Sequence, residues 1–234
     1  MTPARALGIL AACVVAAGAG CAPQATGPGV NYTLSSRRDL HRIHRVVLTE
    51  LSCDDGGVSV GRGMTESLFR ALQATRLFHV DVIDGADPVC RDLSLAKLEP
   101  YTIQELADMR RTLKCDAVLL GRINSYQSYP HMQIGLYLRL LDLRDGKLVW
   151  AVDDVWDTTD KAVEARIQRF FAARIRTGYE PEQWSVVLKS PRAFRKFVAC
   201  EIAETISPLP AGGAGYSDFG AETLGRIAEN AENF

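Results

Sequence analysis

Three apolar, alternating segments lie back to back between Lys114 and Asp157, and they constrain the fold more than any other part of the chain. They are Ala117–Ile123, Met132–Leu143 and Leu148–Val155, with Arg144-Asp145-Gly146 between the last two. An Asp-Gly pair suits a tight hairpin, because glycine adopts the positive φ that such a turn requires. In the middle segment Ile134, Leu136, Leu138 and Leu140 fall on one face and Gln133, Gly135, Tyr137 and Arg139 on the other. That is the period of a strand with one face on a core, so this stretch is the expected centre of a sheet.

The flanking chain supplies the remaining layers. Arg45–Leu51 reads as a first strand, Ser52–Gly63 as a glycine-containing loop, and the chain from Met64 as a helix with Met64, Leu68, Ala71, Leu72 and Thr75 on one face. Phe78–Ile83 is a second strand. Thr102-Ile103-Gln104-Glu105 has the spacing of a capping box, which starts a helix running to about Leu113 with Ile103, Leu106, Arg110 and Leu113 along one side. After the hairpin, Ala162–Arg176 is helical, with Val163, Ile167, Phe170 and Phe171 inward and Arg166, Arg169 and Arg174 mostly outward. Ser190-Pro191 is an N-cap with proline at the first helical position, and it opens a closing helix through Phe194, Phe197, Val198 and Ile202. The order βαβαβββαα implies an α/β (α+β) fold: a mixed sheet of about five strands in two or three layers with flanking helices. Residues 45–207 form one domain, and 208–234 a flexible Gly/Ala-rich tail with a short helical piece near Ala221–Ala231.

The N-terminus predicts where the chain goes. Residues 1–20 carry Arg5, then the short apolar run Ala6–Ala17, then Gly18-Ala19-Gly20 before Cys21. Such a run is too short to span a bilayer and has the layout of a secretory signal. Ala19-Gly20-Cys21 resembles a bacterial lipobox, with Gly18 where leucine is usual, and the resemblance implies acylation at Cys21. Ordinary cleavage after Ala17-Gly18-Ala19 is the other reading. Ala22 rather than aspartate follows, which by resemblance to Gram-negative sorting implies the periplasmic face of the outer membrane. Residues 21–44, polar and rich in Gly and Pro at their start, are read as the linker.

Charge and cysteine usage narrow the function classes. Of 27 Lys and Arg, removal of Arg5 leaves 26 against 28 Asp and Glu, so no broad field attracts nucleic acid or anionic lipid. Outside the leader and Cys21 there remain Cys53, Cys90, Cys115 and Cys200, which allow three pairings in an oxidising compartment. Cys53 and Cys90 each follow a strand, so a disulfide between them is the expectation. No CxxC or HExxH supports a metal, and His41 and His44 interleave with Arg42 and Arg45 as a solvated segment. Two stretches carry an alternative reading as a periplasmic domain that binds nucleotide or calcium or performs hydrolysis. They are the loop Asp54–Gly63 and the carboxylates Asp153, Asp154, Asp157 and Asp160. The loop lacks a following Gly-Lys-Ser/Thr and the carboxylates lack an EF-hand pattern. Asp157 and Asp160 therefore read as a strand-to-helix junction. Trp150 and Trp156, at even spacing in the last strand, read as core.

The stretch Cys115-Asp116-Ala117-Val118-Leu119-Leu120-Gly121-Arg122-Ile123, followed by Ile134–Leu143 and by Asp142, Gly146 and Trp150 around the hairpin, resembles a group of bacterial envelope lipoproteins. They share a periplasmic domain of the CsgG, LpoB and TolB N-terminal kind, and the likeness spans roughly Val46 to Ile206. The resemblance implies a non-enzymatic, lipid-anchored protein with no cofactor, supporting an envelope system through contacts with envelope proteins or through homo-oligomers. The long amphipathic segments of a CsgG-type barrel are not evident in this chain. The face bearing Tyr137 and Arg139 is the expected partner surface, if the chain's own helices leave it open.

Overall fold

The computed structural model describes residues 29–53, 57–95, 100–174 and 184–207. The leader, Cys21, Asp54–Gly56 and the tail from 208 onward, including the expected helical piece at Ala221–Ala231, lie outside the described residues.

Among the described residues seven strands and six helices follow in the order β1 (Tyr32–Leu34), α1 (Arg37–His41), β2 (Arg45–Thr49), β3 (Ser52–Cys53), α2 (Gly57–Thr75), β4 (His79–Ile83), α3 (Pro88–Asp92), α4 (Ile103–Leu113), β5 (Ala117–Gln127), β6 (Gln133–Asp142), β7 (Leu148–Asp157), α5 (Lys161–Arg174) and α6 (Pro191–Ile206). A short 3-10 turn at Trp184–Val186 precedes α6. The sheet order is β1-β7-β6-β5-β2-β4, with β3 added to β5. β2 runs parallel to β4 and β5, while β5, β6 and β7 form the expected antiparallel meander. The α+β class therefore stands as read. The two strands beyond five are β1 and β3, each too short to show a period.

The turn between β6 and β7 behaves as its sequence requires. Gly146 has φ of +72° and its amide donates to the Asp142 carbonyl at 2.9 Å. Both helix starts also form as read. Thr102 accepts from the Glu105 amide while Glu105 accepts from the Thr102 amide at 2.6 Å, and the Ser190 hydroxyl accepts from the Ala193 amide.

Several expectations are corrected. Residues 21–44 are not all linker: β1 pairs with β7, placing Leu34 opposite Trp150, and Leu40 and Ile43 are buried in the core beside it. The density of Arg and His around those two residues hides an anchoring pair. Ser52–Gly63 is not a loop up to Met64, because β3 occupies its start and α2 begins at Gly57. A Cβ on Gly61 would lie 2.2 Å from the Leu51 carbonyl oxygen, so this glycine lets the helix approach the strand. Thr65 locks the contact by accepting from the Leu51 amide at 2.9 Å and donating to the Gly61 carbonyl at 2.8 Å. In α4 it is Leu106 and Met109 that turn inward, and Ile103, at the first turn, is 87% exposed.

One face of the sheet is sealed by α1, α2, α5 and α6. There Trp150, Trp156, Phe194, Phe197, Leu68 and Leu72 have essentially no contact with solvent. Each such side chain contributes roughly 2–3 kcal/mol through burial. The opposite face has a smaller core, in which Leu106, Met109 and Leu95 cover Val47, Val118, Leu120 and Leu141.

Candidate functional site

The smaller core ends partway across the sheet, and the candidate site begins there. Strand register sets three rows on this face. Leu120, Arg139 and Ala151 form the first, Arg122, Tyr137 and Asp153 the second, and Ser125, Gly135 and Val155 the third. α4 reaches the first row only. Pro100, Tyr101 and Leu106 close over Arg139 and Leu141 around a cavity of about 80 Å³. Beyond it Arg122 and Asp153 are exposed and Val155 is 45% exposed.

Tyr137 and Arg139, singled out by their place in the strand pattern, therefore do sit together on this half-covered face. The Arg139 guanidinium carbon lies 5.6 Å from the Tyr137 ring centroid, within range of a cation–π contact. Tyr101, wedged beneath, has its phenol pushed up to about 12 by burial. The second row is a cation, an aromatic ring and a carboxylate side by side on three strands. Rigid backbone holds it, and such a row can form hydrogen bonds, a ring contact and ion pairs with a protein surface. Gly135 is covered because a bulge at Asn124 brings Asn124 Oδ1 and Ser125 Oγ to within 2.5 Å of where its Cβ would stand.

The other sequence candidates lie elsewhere. The Cys53–Cys90 disulfide is not present. Cys53 packs into the large core on one side of the sheet and Cys90 into the smaller core on the other, so the strands separate them. The Cys90 thiol instead donates to the Asp84 carbonyl, and burial pushes it above its ordinary value. Of the glycine loop, Gly57–Gly63 is helix. Arg62 lies 3.5 Å from both Glu50 and Asp84, so this cation is engaged within the fold.

The acidic stretch is a strand-to-helix junction. Asp154 accepts from the Asn31 amide, Asp157 from the Thr159 amide and Asp160 from the Ala162 amide. Burial raises Asp157, but the Thr159 hydrogen bonds and the charge of His131 outweigh it and hold the carboxyl below its ordinary value. Among the described residues no cluster of three His, Cys, Asp or Glu side chains could hold a metal ion. His41 and His44 are exposed, as expected of a solvated segment.

The large core also holds a buried polar network that no local sequence pattern announces. Trp156 Nε1 donates to Glu201 at 2.8 Å, Arg166 ion-pairs with Glu201 at 3.0 Å, and Trp150 Nε1 donates to Thr205 at 2.9 Å. Arg166 is therefore turned inward, contrary to the outward reading. The usable signal was two inward tryptophans, each of which needs an acceptor when buried.

No family model matches the chain, and no curated protein matches it. Solved structures do show likeness. PelC from Paraburkholderia phytofirmans, a dodecamer, aligns at 13% identity over 74% of this chain and 96% of its own, with a TM-score of 0.43. Lipoprotein GNA1162 from Neisseria meningitidis aligns at 15% identity over 58% and 99%, with a TM-score of 0.37. LpoB from E. coli aligns at 15% identity over 67% and 84%, with a TM-score of 0.32. Among the described residues no helix is long and apolar enough to cross a membrane.

Proposed function

We propose that this is an exported, non-enzymatic protein of the CsgG, LpoB and TolB N-terminal kind, acylated at Cys21 and held at the periplasmic face of the outer membrane. It supports an envelope system by contacts with envelope proteins, and its own second copy is one such partner class. The observation that carries this reading is the row Arg122, Tyr137 and Asp153. It is a mixed polar and aromatic strip on rigid strands, at the place where the chain's own helices stop covering the sheet. A strip of that composition has the character of a partner surface, which is enriched in tyrosine and arginine.

The experiment is site-specific photocrosslinking in cells. A photoreactive residue at Tyr137 or at Val155 is expected to give a discrete adduct with an envelope protein or with a second copy, whereas one at Gln168, exposed on α5, gives none. Equal adducts from all three positions, or none from the first two, would sink the reading. The anchor is tested separately by the mass of the mature N-terminus, which distinguishes an acylated Cys21 from a chain beginning at Gly20.

A further inference from the structure

The chain as a whole has a net charge of −1, yet one end of the fold carries a local cluster of cations. Arg37 to Arg45 holds four arginines and two histidines against the single carboxylate of Asp39. This segment, α1 and the chain leading into β2, lies at the same end of the sheet as the β6–β7 turn, since Lys147 ion-pairs with Asp39 and Arg144 donates to the Arg42 carbonyl. The carboxylates present there are engaged within the fold. Asp39 is held below its ordinary value chiefly by its hydrogen bond from Lys147, Asp142 takes Arg144 at 2.7 Å, and Asp81 takes Arg45 at 2.7 Å. Asp116 accepts from the His44 and Arg45 amides, and Asp145 from the Lys147 amide. Arg37, Arg38 and Arg42 are exposed, and none of them has a carboxylate within ion-pair distance among the described residues. The summed charge of the chain is near zero, and the fold makes a local exception to it.

The chain before the fold bears on what this plate meets. Cys21 precedes Gly29, the first described residue, by eight positions, and Arg37 follows Gly29 by another eight. Eight residues span at most about 27 Å, so an anchor at Cys21 holds Gly29 within that distance of the surface that carries its acyl chains, and β1 then leads the chain along β7 to the plate. We propose that the plate formed by Arg37, Arg38 and Arg42, flanked by Lys147 and Arg144, binds the headgroups of anionic phospholipid and seats the domain on its own membrane. This inference rests on the reading of Cys21 as the anchor, although the plate itself can be tested without acylation. Cations near an anionic surface act as point charges, and the gain per residue is about fivefold in affinity.

The test uses the unacylated chain from Ala22 to Phe234, which retains every described element, with its fold checked by thermal unfolding. Cosedimentation is measured with vesicles of phosphatidylcholine alone and with vesicles containing three parts in ten phosphatidylglycerol. The chain is expected to sediment with the anionic vesicles and not with the neutral ones, and to release at high salt as the charges are screened. The combined variant Arg37→Ser, Arg38→Ser, Arg42→Ser is expected to bind roughly a hundredfold more weakly, at about fivefold per cation. Replacing the same three by lysine keeps binding, and Arg169→Ser with Arg192→Ser, exposed on α5 and at the start of α6, leaves it unchanged. No binding of the parent chain to anionic vesicles overturns the proposal, as does equal binding to neutral vesicles or full binding by the triple serine variant. None of these outcomes bears on the mass of the mature N-terminus, so failure of the plate and failure of the anchor are distinguishable.

Discussion

The two faces of the sheet come from the same strands and have opposite fates. On one, side chains of β5, β6 and β7 meet four helices, and Ile134, Leu136, Leu138, Trp150 and Trp156 are all sealed. On the other, α4 covers Val118, Leu120 and Leu141 and stops, so that the same strands continue with Arg122, Tyr137, Asp153 and Val155 in contact with water. A fold that needed only stability would gain by covering both. Leaving half of one face rigid but bare separates the part of the chain that holds the domain together from the part available to a partner. Substitutions on the two faces should therefore separate stability from binding.

The largest expected effect is on the sealed face. Phe197 lies between Phe170, at 5.5 Å edge to face, and Phe194, at 6.2 Å, with no exposure of its own. Phe197→Ala should cost about 4 kcal/mol in denaturant unfolding, because the ring's burial is lost and a cavity is left. A loss under about 1 kcal/mol would mean that this face is not the stabilising one.

The polar network within that core comes next. Arg166→Met should cost about 3 kcal/mol, since it leaves Glu201 buried without its cation. The same pair has a pH signature. Burial raises Glu201 above its ordinary value of 4.5, with Arg166 and Trp156 opposing. The native state thus holds this proton more tightly than the unfolded chain, so the group adds stability as pH falls through its folded value toward 4.5 and withdraws it as pH rises. Glu201→Gln should flatten that part of the stability–pH curve, and an unchanged slope would contradict the assignment. Asp142, hydrogen-bonded by Arg144, has the opposite sign. Burial raises it, but Arg144 outweighs burial and holds it low, so its contribution is present above its ordinary 3.8 and is lost as pH falls below that.

On the half-covered face the helix that does the covering depends on its cap. Thr102→Ala removes the acceptor for the Glu105 amide and should cost about 1 kcal/mol, read as a lowered melting temperature. No change would mean that packing of Leu106 and Met109 alone sets the position of α4.

What the sequence made legible follows period and local chemistry. The meander from Ala117 to Asp157, the Gly146 turn, the Thr102 box and the Ser190 cap each announce themselves within a few residues, and each forms. The misses share a different cause. β1 and α1 are three and five residues long, too short for a period, and are held by distant partners such as Trp150. Gly61 looks like a turn residue until the Leu51 carbonyl is seen 2.2 Å from its absent Cβ. Cys53 and Cys90 seem suited to pair along the chain, and a sheet lies between them. Of the candidate site, the inward and outward alternation of β6 was readable, but how far α4 reaches across it was not, because that is fixed by tertiary packing.

The smallest stability effect is the most informative about the bare face. Tyr137 is half-buried, flanked by Arg122 and Asp153 in register, and stacked near Arg139. Its ring is not part of either apolar core, so Tyr137→Ala should change unfolding stability by no more than about 0.5 kcal/mol, the range of surface substitutions. Loss of a buried contact tyrosine at an interface costs about 2 kcal/mol or more, which is roughly a thirtyfold weakening. The variant should therefore retain its melting temperature while losing the crosslink formed from Val155, two rungs along the neighbouring strand. If Tyr137→Ala unfolds as readily as Phe197→Ala, the bare face is a structural element after all and the division between the two faces fails. If stability and crosslinking are both unaffected, the partner lies elsewhere, and the exposed strip is only the part of a sheet that four helices on one side and two on the other did not suffice to cover.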